Sequence, residues 1–271
     1  MARFFPDFWA GCPRNPIFVI GYSRSGKSLL TGLLGLHRDV AYWQEANHVW
    51  DPRGYPWWSS GRETPPLWVD PVAYTLRWWR DTQPRQREIQ AVFGAYQWIW
   101  RKPYFLNDNP FNTFRIAYLL AMFPQARFIH MVRDGREVAY WRACKQFEKV
   151  QVDPTLYESA GLPHTFEGLL MRLAALWRTT MQEVTRQDEA LHLSRDGLIL
   201  EVKYEEMCAD TPAELERVCR FAGLDPSRFD PAIHGRKLQV LDCRWEEELD
   251  PALARQAITE MEPLLSQKGY L

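Results

Sequence analysis

The chain has 271 residues, of which 46% are hydrophobic and 25% charged, and its formal net charge is −1. This composition is typical of a globular protein with a sizeable core. The balanced charge gives no reason to expect a nucleic-acid partner, and no apolar run approaches the roughly 20 residues that span a bilayer. The five cysteines are scattered without CxxC spacing, which predicts reduced thiols, a cytoplasmic location and no metal site.

The first predicted strand runs from Ile17 to Ile20 and leads into a glycine-bounded polar turn, after which apolar residues recur at helical spacing. A strand, tight loop and helix in this order direct backbone N–H groups and the positive end of a helix dipole at one point, where phosphate or sulfate binds well. The segment Gly21 to Ser28 reads G-x-x-x-x-G-K-S, the pattern of the nucleotide P-loop. The sequence therefore predicts an anion site in this loop.

The stretch from His37 to Trp43 is predicted to be a turn that leads into a second short strand, and Glu45 follows at its carboxyl end, where ligands collect in open α/β sheets. Tryptophan is unusually dense in the segment from Trp43 to Trp100. Nine of the thirteen tryptophans lie in it, at positions 43, 50, 57, 58, 68, 78, 79, 98 and 100. This density indicates either an aromatic surface for an apolar or sugar-like ligand or a bulky core with long loops, and the sequence leaves both open.

Further strands are predicted at Tyr104 to Leu106, Phe128 to Val132 and Leu198 to Val202, with helical patterns between them. Helices are expected at about 72–82, 86–100, 111–123, 166–186, about 211–222 and from Asp250 towards the carboxyl end, and a loop at 152–164. Arg133 follows the Phe128 strand, so it points to the same sheet edge as the first loop and is a plausible second anion contact. Alternating strands and helices predict a single α/β domain with a doubly wound, P-loop-type parallel sheet flanked by helices.

Taken together, these stretches resemble sulfotransferases that use 3′-phosphoadenosine-5′-phosphosulfate (PAPS), and most of all the bacterial and tyrosylprotein-type branch. The first loop is similar to the family's phosphosulfate loop, G-x-x-[RK]-S-G-T-[TS], with Lys27 where Thr is usual. Other parts follow in family order: "HRDVAYWQE", "NDNPF", "FPQARFIHMVRDGREVA", "VKYEEMCADTPAELERVCRFAGL" and a final "KGYL". The resemblance implies one sulfotransferase domain over 1–271, with the phosphosulfate loop and base in 16–45, a Trp-rich acceptor or lid region in 46–103 and the remainder of the nucleotide-binding fold in 104–271.

The resemblance also implies roles by position. The residues expected to hold PAPS, or its product adenosine 3′,5′-bisphosphate (PAP), are Arg24, Ser25, Gly26, Lys27, Ser28 and Leu29 at the phosphosulfate, Arg133, Arg236 and Lys237 at the 3′-phosphate, and Tyr204 beside the adenine. Glu45 falls on the family's catalytic base, and Arg24 and Lys27 would stabilise charge during transfer. The expected acceptor is a hydroxyl of an apolar, aromatic or glycosidic small molecule or of a peptide, while the sequence indicates no oligomeric state.

Two positions depart from the family pattern. Trp141 stands where the family has a Ser that contacts the 3′-phosphate, so a hydroxyl contact is missing unless Tyr140 or the Arg236 loop replaces it. Asp108 stands where the family has a lysine near the sulfuryl group, and we hypothesise that Lys27 supplies the lost positive charge.

Two other functions remain open at this stage. A P-loop small-molecule kinase that uses ATP and magnesium would explain Lys27, but neither the Phe128 strand nor the Leu198 strand ends in a well-placed Asp for the metal. A non-catalytic member that binds a nucleotide would explain Trp141 and Asp108.

Overall fold

The computed structural model describes residues 11–50, 83–152, 163–230, 233, 238 and 245–271. Five parallel strands form one sheet in the order β2-β3-β1-β4-β5. The strands are β1 (Pro16–Ile20), β2 (Val40–Trp43), β3 (Tyr104–Asn107), β4 (Arg127–Val132) and β5 (Ile199–Lys203). The predicted single-domain α/β fold with a parallel sheet is confirmed. β1, β3, β4 and β5 each begin and end within one residue of their predicted bounds, and β2 lies within the stretch from His37 to Trp43 where a turn and a strand were predicted.

Helices fill the connections between the strands. In chain order they are α1 (Lys27–Leu34), α2 (Asn47–Trp50), α3 (Gln83–Trp100), α4 (Ile116–Met122), α5 (Gly135–Val152), α6 (Phe166–Leu191), α7 (Tyr204–Ala209), α8 (Thr211–Ala222), α9 (Trp245–Glu248) and α10 (Pro251–Gln267). Short 3-10 turns lie at Pro110–Phe114 and Pro226–Arg228. No helix in these described ranges is long and apolar enough to cross a membrane.

Some predicted helix boundaries were wrong. The helix predicted at 166–186 continues to Leu191 and ends because His192 adopts a left-handed backbone, with φ of 54°. The stretch predicted as one helix at 111–123 is a 3-10 turn followed by α4, because the side chain of Asn109 caps the turn at the Phe111 N–H. Of the predicted loop at 152–164, residue 152 is the last residue of α5 and positions 153–162 lie outside the described residues. The helix predicted at 72–82 also lies outside them.

The sheet is buried on both faces because successive side chains of a strand point to opposite sides. Ile17 and Val19 of β1 pack with α1 and α8 on one face. Phe18 and Ile20 pack with α3 and α4 on the other face. A third apolar cluster, built mainly from α5, α6 and α10, lies beyond the carboxyl end of β4 and includes Val132.

The strand order places a topological switch point beside β1. From β1 the chain moves outward to β2 and returns through β3, and it then crosses to β4 on the other side of β1. The loops that follow β1 and β4 therefore separate at the carboxyl edge of the sheet, where ligands bind in folds of this kind. The predicted anion loop and Arg133 lie in these two loops.

Candidate active site

The loop after β1 has a shape that only glycine permits at two positions. Gly21 and Gly26 have φ of 130° and 94°, values that side chains rarely adopt. A Cβ on Gly21 would collide with the carbonyl oxygen of Met131, and a Cβ on Gly26 would lie 2.5 Å from Cδ2 of Tyr204. The loop is thus pressed between β4 and Tyr204, which fixes the direction of its backbone N–H groups.

Lys27 lies inside this loop. Its ammonium donates to the carbonyl oxygens of Gly21 at 2.7 Å and Tyr22 at 2.6 Å, and the residue is only 7% exposed. Burial lowers the pKa of Lys27 to about 8, and the nearby positive charges of Arg142 and Arg24 act in the same direction. Asp108 and Glu45 oppose the shift. Lys27 is therefore a buried cation whose protonation is sensitive to any added anion.

The start of α1 carries no protein anion of its own. Its N-cap is Gly26, which has no side chain to cap the first turn, and no acidic residue occurs in that turn. Ser28 and Arg24 are exposed beside it, whereas the Ser25 hydroxyl donates to the Tyr22 carbonyl at 2.8 Å and so stabilises the loop itself. The helix dipole and the N–H groups at this end are suited to an external oxyanion.

Tyr204 and Arg133 lie next to the loop, and for Arg133 the sequence predicted this position at the sheet edge. The guanidinium of Arg133 stacks over the Tyr204 ring at 4.3 Å, and the same ring packs against Gly26. Arg133 also forms an ion pair with Glu137 at 2.8 Å, and its side chain is 8% exposed. The structure therefore joins the loop, the tyrosine and the arginine into one continuous surface.

Glu45 lies at the carboxyl end of β2 in a strained turn. Glu45 and Ala46 both have left-handed backbone conformations, with φ of 52° and 47°. Two asparagines at the carboxyl end of β3 hold the turn. The side-chain amide of Asn109 donates to the Glu45 carbonyl at 2.6 Å, and that of Asn107 donates to the Trp43 carbonyl at 2.7 Å. Strain of this kind persists only where neighbouring groups enforce it, and it clusters at functional sites.

Asp108, between these asparagines, connects the Glu45 turn to α1. Its carboxylate accepts a hydrogen bond from the Tyr42 hydroxyl at 3.0 Å and another from the backbone N–H of Glu45. The Thr31 hydroxyl of α1 lies 3.2 Å from the other carboxylate oxygen. Burial raises the pKa of Asp108, while its hydrogen bonds and Lys27 lower it in part. Asp108 is therefore a structured part of the site rather than an isolated charge near the loop.

An open cleft of about 370 Å³ lies over the Glu45 turn and is lined by residues 44–48. One carboxylate oxygen of Glu45 accepts a hydrogen bond from the Asn47 amide at 3.1 Å. Trp43 stacks on Tyr96 with a centroid distance of 4.3 Å, and the ring of His48 lies 5.4 Å from that of Trp43. Glu45 thus lies in an open cleft that it shares with His48, and His48 connects this cleft to the stacked rings of Trp43 and Tyr96.

The tryptophans of the Trp-rich segment have different environments. Trp50 is fully buried, with the Arg115 guanidinium 3.8 Å from its ring, so it belongs to the core. Trp98 and Trp100 are exposed on α3. The tryptophans at positions 57, 58, 68, 78 and 79 lie outside the described residues, as do Arg236 and Lys237. Of the described tryptophans, Trp43 is the one beside Glu45.

The structure gives Trp141 a contact that the sequence did not reveal. Its ring lies 4.8 Å from the guanidinium of Arg24, in the geometry of a cation–π contact. Tyr140 does not replace the missing serine hydroxyl, because its own hydroxyl donates to the Glu248 carboxylate. Sequence reasoning also missed Arg142 and the two asparagines at 107 and 109. The position of the asparagines at the carboxyl end of a strand could have indicated a role in the site. Their hydrogen-bond partners, the carbonyls of Trp43 and Glu45, are distant in sequence and follow only from the fold.

The chain is similar in sequence to known sulfotransferases. Among sequence relatives, omega-hydroxy-beta-dihydromenaquinone-9 sulfotransferase Stf3 of Mycobacterium bovis is 31% identical over 146 residues, which is 52% of this chain and 35% of that protein. Protein-tyrosine sulfotransferase 2 of Gallus gallus is 25% identical over 228 residues, which is 82% of this chain and 54% of that protein. The chain thus spans between about a third and about half of the length of these relatives.

Solved structures show the same fold. Sulfotransferase STF9 of Mycobacterium avium superimposes with a TM-score of 0.61 at 15% identity, covering 98% of this chain and 80% of that one. A sulfotransferase from Alicyclobacillus acidocaldarius superimposes with a TM-score of 0.51 at 16% identity, covering 94% and 96%. The model of the sulfotransferase family matches residues 16–228, well over half of the sequence. This chain therefore belongs to the sulfotransferase family.

Proposed function

We propose that this protein transfers a sulfuryl group from PAPS to a hydroxyl of an apolar, aromatic or glycosidic acceptor. The observation that carries the proposal is the juxtaposition of two parts at one sheet edge. One part is the glycine-shaped loop with buried Lys27 and the uncapped start of α1. The other is the Glu45 turn, which Asp108 and Asn109 tie to the same edge.

The residues present fit the proposed nucleotide. Its phosphosulfate end needs cationic and N–H donors, which Lys27, Arg24 and the first turn of α1 offer, with Ser28 and Leu29 following in that turn. Gly26 and Gly21 bring the loop backbone close to any bound anion because neither carries a Cβ. Arg133 beside the Tyr204 ring supplies a second cationic position for the 3′-phosphate and an aromatic wall for the base. We assign Ser25 to the shape of the loop and propose that Arg236 and Lys237 add to the 3′-phosphate site.

When bound, PAPS supplies an activated sulfuryl group and a bisphosphate leaving group. The chain must then position the acceptor oxygen, remove its proton and stabilise the charge that develops on the leaving side. We assign proton removal to the Glu45 carboxylate, which lies in the open cleft at the end of β2. Lys27 and Arg24 stabilise the charge on the leaving side. Asp108 then serves to orient Glu45 and to keep Lys27 protonated, since it is the largest of the charges that raise the pKa of Lys27.

The surroundings of Glu45 support an acceptor with an aromatic or apolar body. His48 lines the cleft, and its ring lies 5.4 Å from that of Trp43, which in turn stacks on Tyr96. Rings of this kind bind flat or apolar groups and orient them through their faces and edges. Two relatives carry names that specify a menaquinone derivative and protein tyrosine as acceptors, and both acceptors combine a hydroxyl with an apolar or aromatic body.

Family membership supports sulfuryl transfer over the kinase alternative. The position at which a magnesium-binding Asp would be expected after β4 is Arg133, and the next residue, Asp134, is paired with Arg136 at 2.6 Å. The non-catalytic alternative is less well supported, because Asp108 and Trp141 each make ordered contacts within the site.

The test is transfer of radiolabelled sulfate from PAPS to a panel containing a phenol, a long-chain alcohol, a glycoside and a tyrosine peptide. We expect sulfation of at least one acceptor by the wild-type protein. Glu45→Gln should reduce kcat by about 10²- to 10⁴-fold, the usual contribution of a general base, while PAP binding is unchanged. Lys27→Thr should abolish turnover without loss of the fold.

A matched control for Glu45→Gln is Glu183→Gln, which removes a carboxylate that pairs with Arg186 on the surface of α6. It should leave kcat unchanged. Wild-type turnover by Glu45→Gln would contradict the assignment of the base. PAP binding without sulfation of any acceptor in the panel would favour the non-catalytic alternative.

A further inference from the structure

Arg142 on α5 contacts the phosphosulfate loop at Tyr22. Its guanidinium lies 5.2 Å from the ring centre of Tyr22, the second residue of the loop. Tyr22 is itself fixed, because it is 6% exposed and its hydroxyl donates to the Leu173 carbonyl at 3.3 Å. The position of the Arg142 guanidinium is thus defined by a rigid neighbour.

A second contact joins the same helix to the loop. Trp141, the residue before Arg142, lies under the guanidinium of Arg24 at 4.8 Å. Arg24 has a left-handed backbone with φ of 68°, and its guanidinium reaches this ring of α5. Two consecutive residues of α5 therefore act on the loop: Trp141 holds the guanidinium of Arg24, and Arg142 contributes a second guanidinium.

Three positive charges lie around the loop, on Lys27, Arg24 and Arg142. Arg142 and Arg24 both lower the pKa of Lys27, after burial, so the three cations lie close enough to repel one another. Among the residues that the structure describes, neither arginine forms an ion pair with a carboxylate. A guanidinium has five N–H donors, and the contact with the Tyr22 ring and hydroxyl leaves several of them for a ligand. Repelling cations with remaining donors are suited to binding an oxyanion of more than one charge.

We propose that Arg142 is a further anion-binding residue, whose guanidinium contacts the 5′-phosphosulfate end of the nucleotide together with Lys27 and Arg24. The inference rests on the proposed function, because it assigns Arg142 to the same nucleotide. It also accounts for the presence of Asp108 at this edge of the sheet: a carboxylate there is tolerated because Arg142 adds a positive charge to those of Lys27 and Arg24.

The inference is tested by isothermal titration with PAP and with adenosine 3′-phosphate, at one salt concentration and without an acceptor. Arg142→Ala should weaken PAP binding by about ten- to a hundredfold, the range expected for a charge-assisted hydrogen bond. Arg142→Lys keeps the charge but loses the planar fork of donors, so its affinity for PAP should lie between those of the wild type and Arg142→Ala. Lys149→Ala removes an exposed cation two turns further along α5 and should bind PAP as the wild type does.

Adenosine 3′-phosphate lacks the 5′-phosphate, so Arg142→Ala should not change its affinity. Wild-type PAP affinity in Arg142→Ala would overturn the inference, and so would an equal loss for both nucleotides. If Arg142→Ala does not fold, Arg142→Lys decides the question by the same comparison. If the wild-type protein itself binds no PAP, the proposed function fails, and this outcome is distinct from a failure of Arg142 alone.

Discussion

The buried ammonium of Lys27 predicts that PAP binding takes up a proton at mildly alkaline pH. In the ligand-free protein burial holds the pKa of Lys27 at about 8. A bound phosphate beside it favours the charged form and raises the pKa again. A group with a pKa of 8 is protonated in only about a quarter of the molecules at pH 8.5, so binding should take up as much as about three quarters of a proton there.

Titration calorimetry at pH 8.5 in buffers with different ionisation enthalpies measures this uptake directly. The phosphates of PAP contribute nothing, since their second pKa is near 6. Lys27→Met keeps the length of the side chain without the ammonium and is the matched control, in which the uptake should vanish. Equal uptake by wild type and Lys27→Met would refute the placement of a titrating Lys27 at the anion site.

The lowered pKa of Lys27 also determines how the free energy of unfolding changes with pH. The pKa of Lys27 is lower in the folded chain, at about 8, than its ordinary 10.5. Between these pH values the unfolded chain binds more protons, so this group's contribution makes the free energy of unfolding rise with pH. Below pH 8 the burial cost is fully present and amounts to no more than about 3 kcal/mol. Lys27→Met should therefore stabilise the ligand-free protein at pH 7, because the hydroxyls of Thr113 and Ser25 still donate to the two carbonyls that Lys27 leaves.

Two further predictions concern the loop and its neighbours. Gly26→Ala places a Cβ 2.5 Å from the Tyr204 ring, at a φ of 94° that alanine rarely adopts. The variant should therefore have a lower melting temperature and bind PAP at least tenfold more weakly in titration calorimetry. Wild-type affinity for PAP would contradict the loop geometry. Asp108→Asn removes the main charge that supports protonated Lys27, so the pH midpoint of proton uptake should move to lower pH. Asp39→Asn removes a carboxylate that precedes β2 at the opposite edge of the sheet and should leave the midpoint unchanged; equal behaviour of the two variants would count against the role of Asp108.

The parallel sheet could be predicted from the sequence because each strand is a short apolar run bounded by turn residues. The loop after β1 was equally clear, since Gly21 and Gly26 are required by a backbone that no other residue adopts easily. Helix ends were less predictable. α6 ends at His192, which takes the left-handed conformation that glycine usually supplies, and such an end carries no strong sequence signal.

The support of Glu45 could not be predicted because it depends on contacts between segments far apart in the chain. Asn109 reaches the Glu45 carbonyl across 64 positions, and Asp108 reaches Tyr42 across 66. Side-chain hydrogen bonds of this kind follow from strand order, which places β3 beside β2, and not from local pattern. The sequence therefore located the candidate site through its loop and its glutamate, while the groups that hold and balance them emerged only from the fold.

The central claim is that this loop binds a 3′-phosphorylated nucleotide without a metal ion. The most direct test compares thermal unfolding with PAP alone against unfolding with ADP and magnesium. A ligand at about 100 times its Kd stabilises the folded state by about 2.7 kcal/mol, which for a chain of this size raises the melting temperature by roughly 5 to 10 °C. We predict this increase with PAP in the absence of magnesium. An increase that occurs only with ADP and magnesium would contradict the claim and identify the loop as a kinase P-loop.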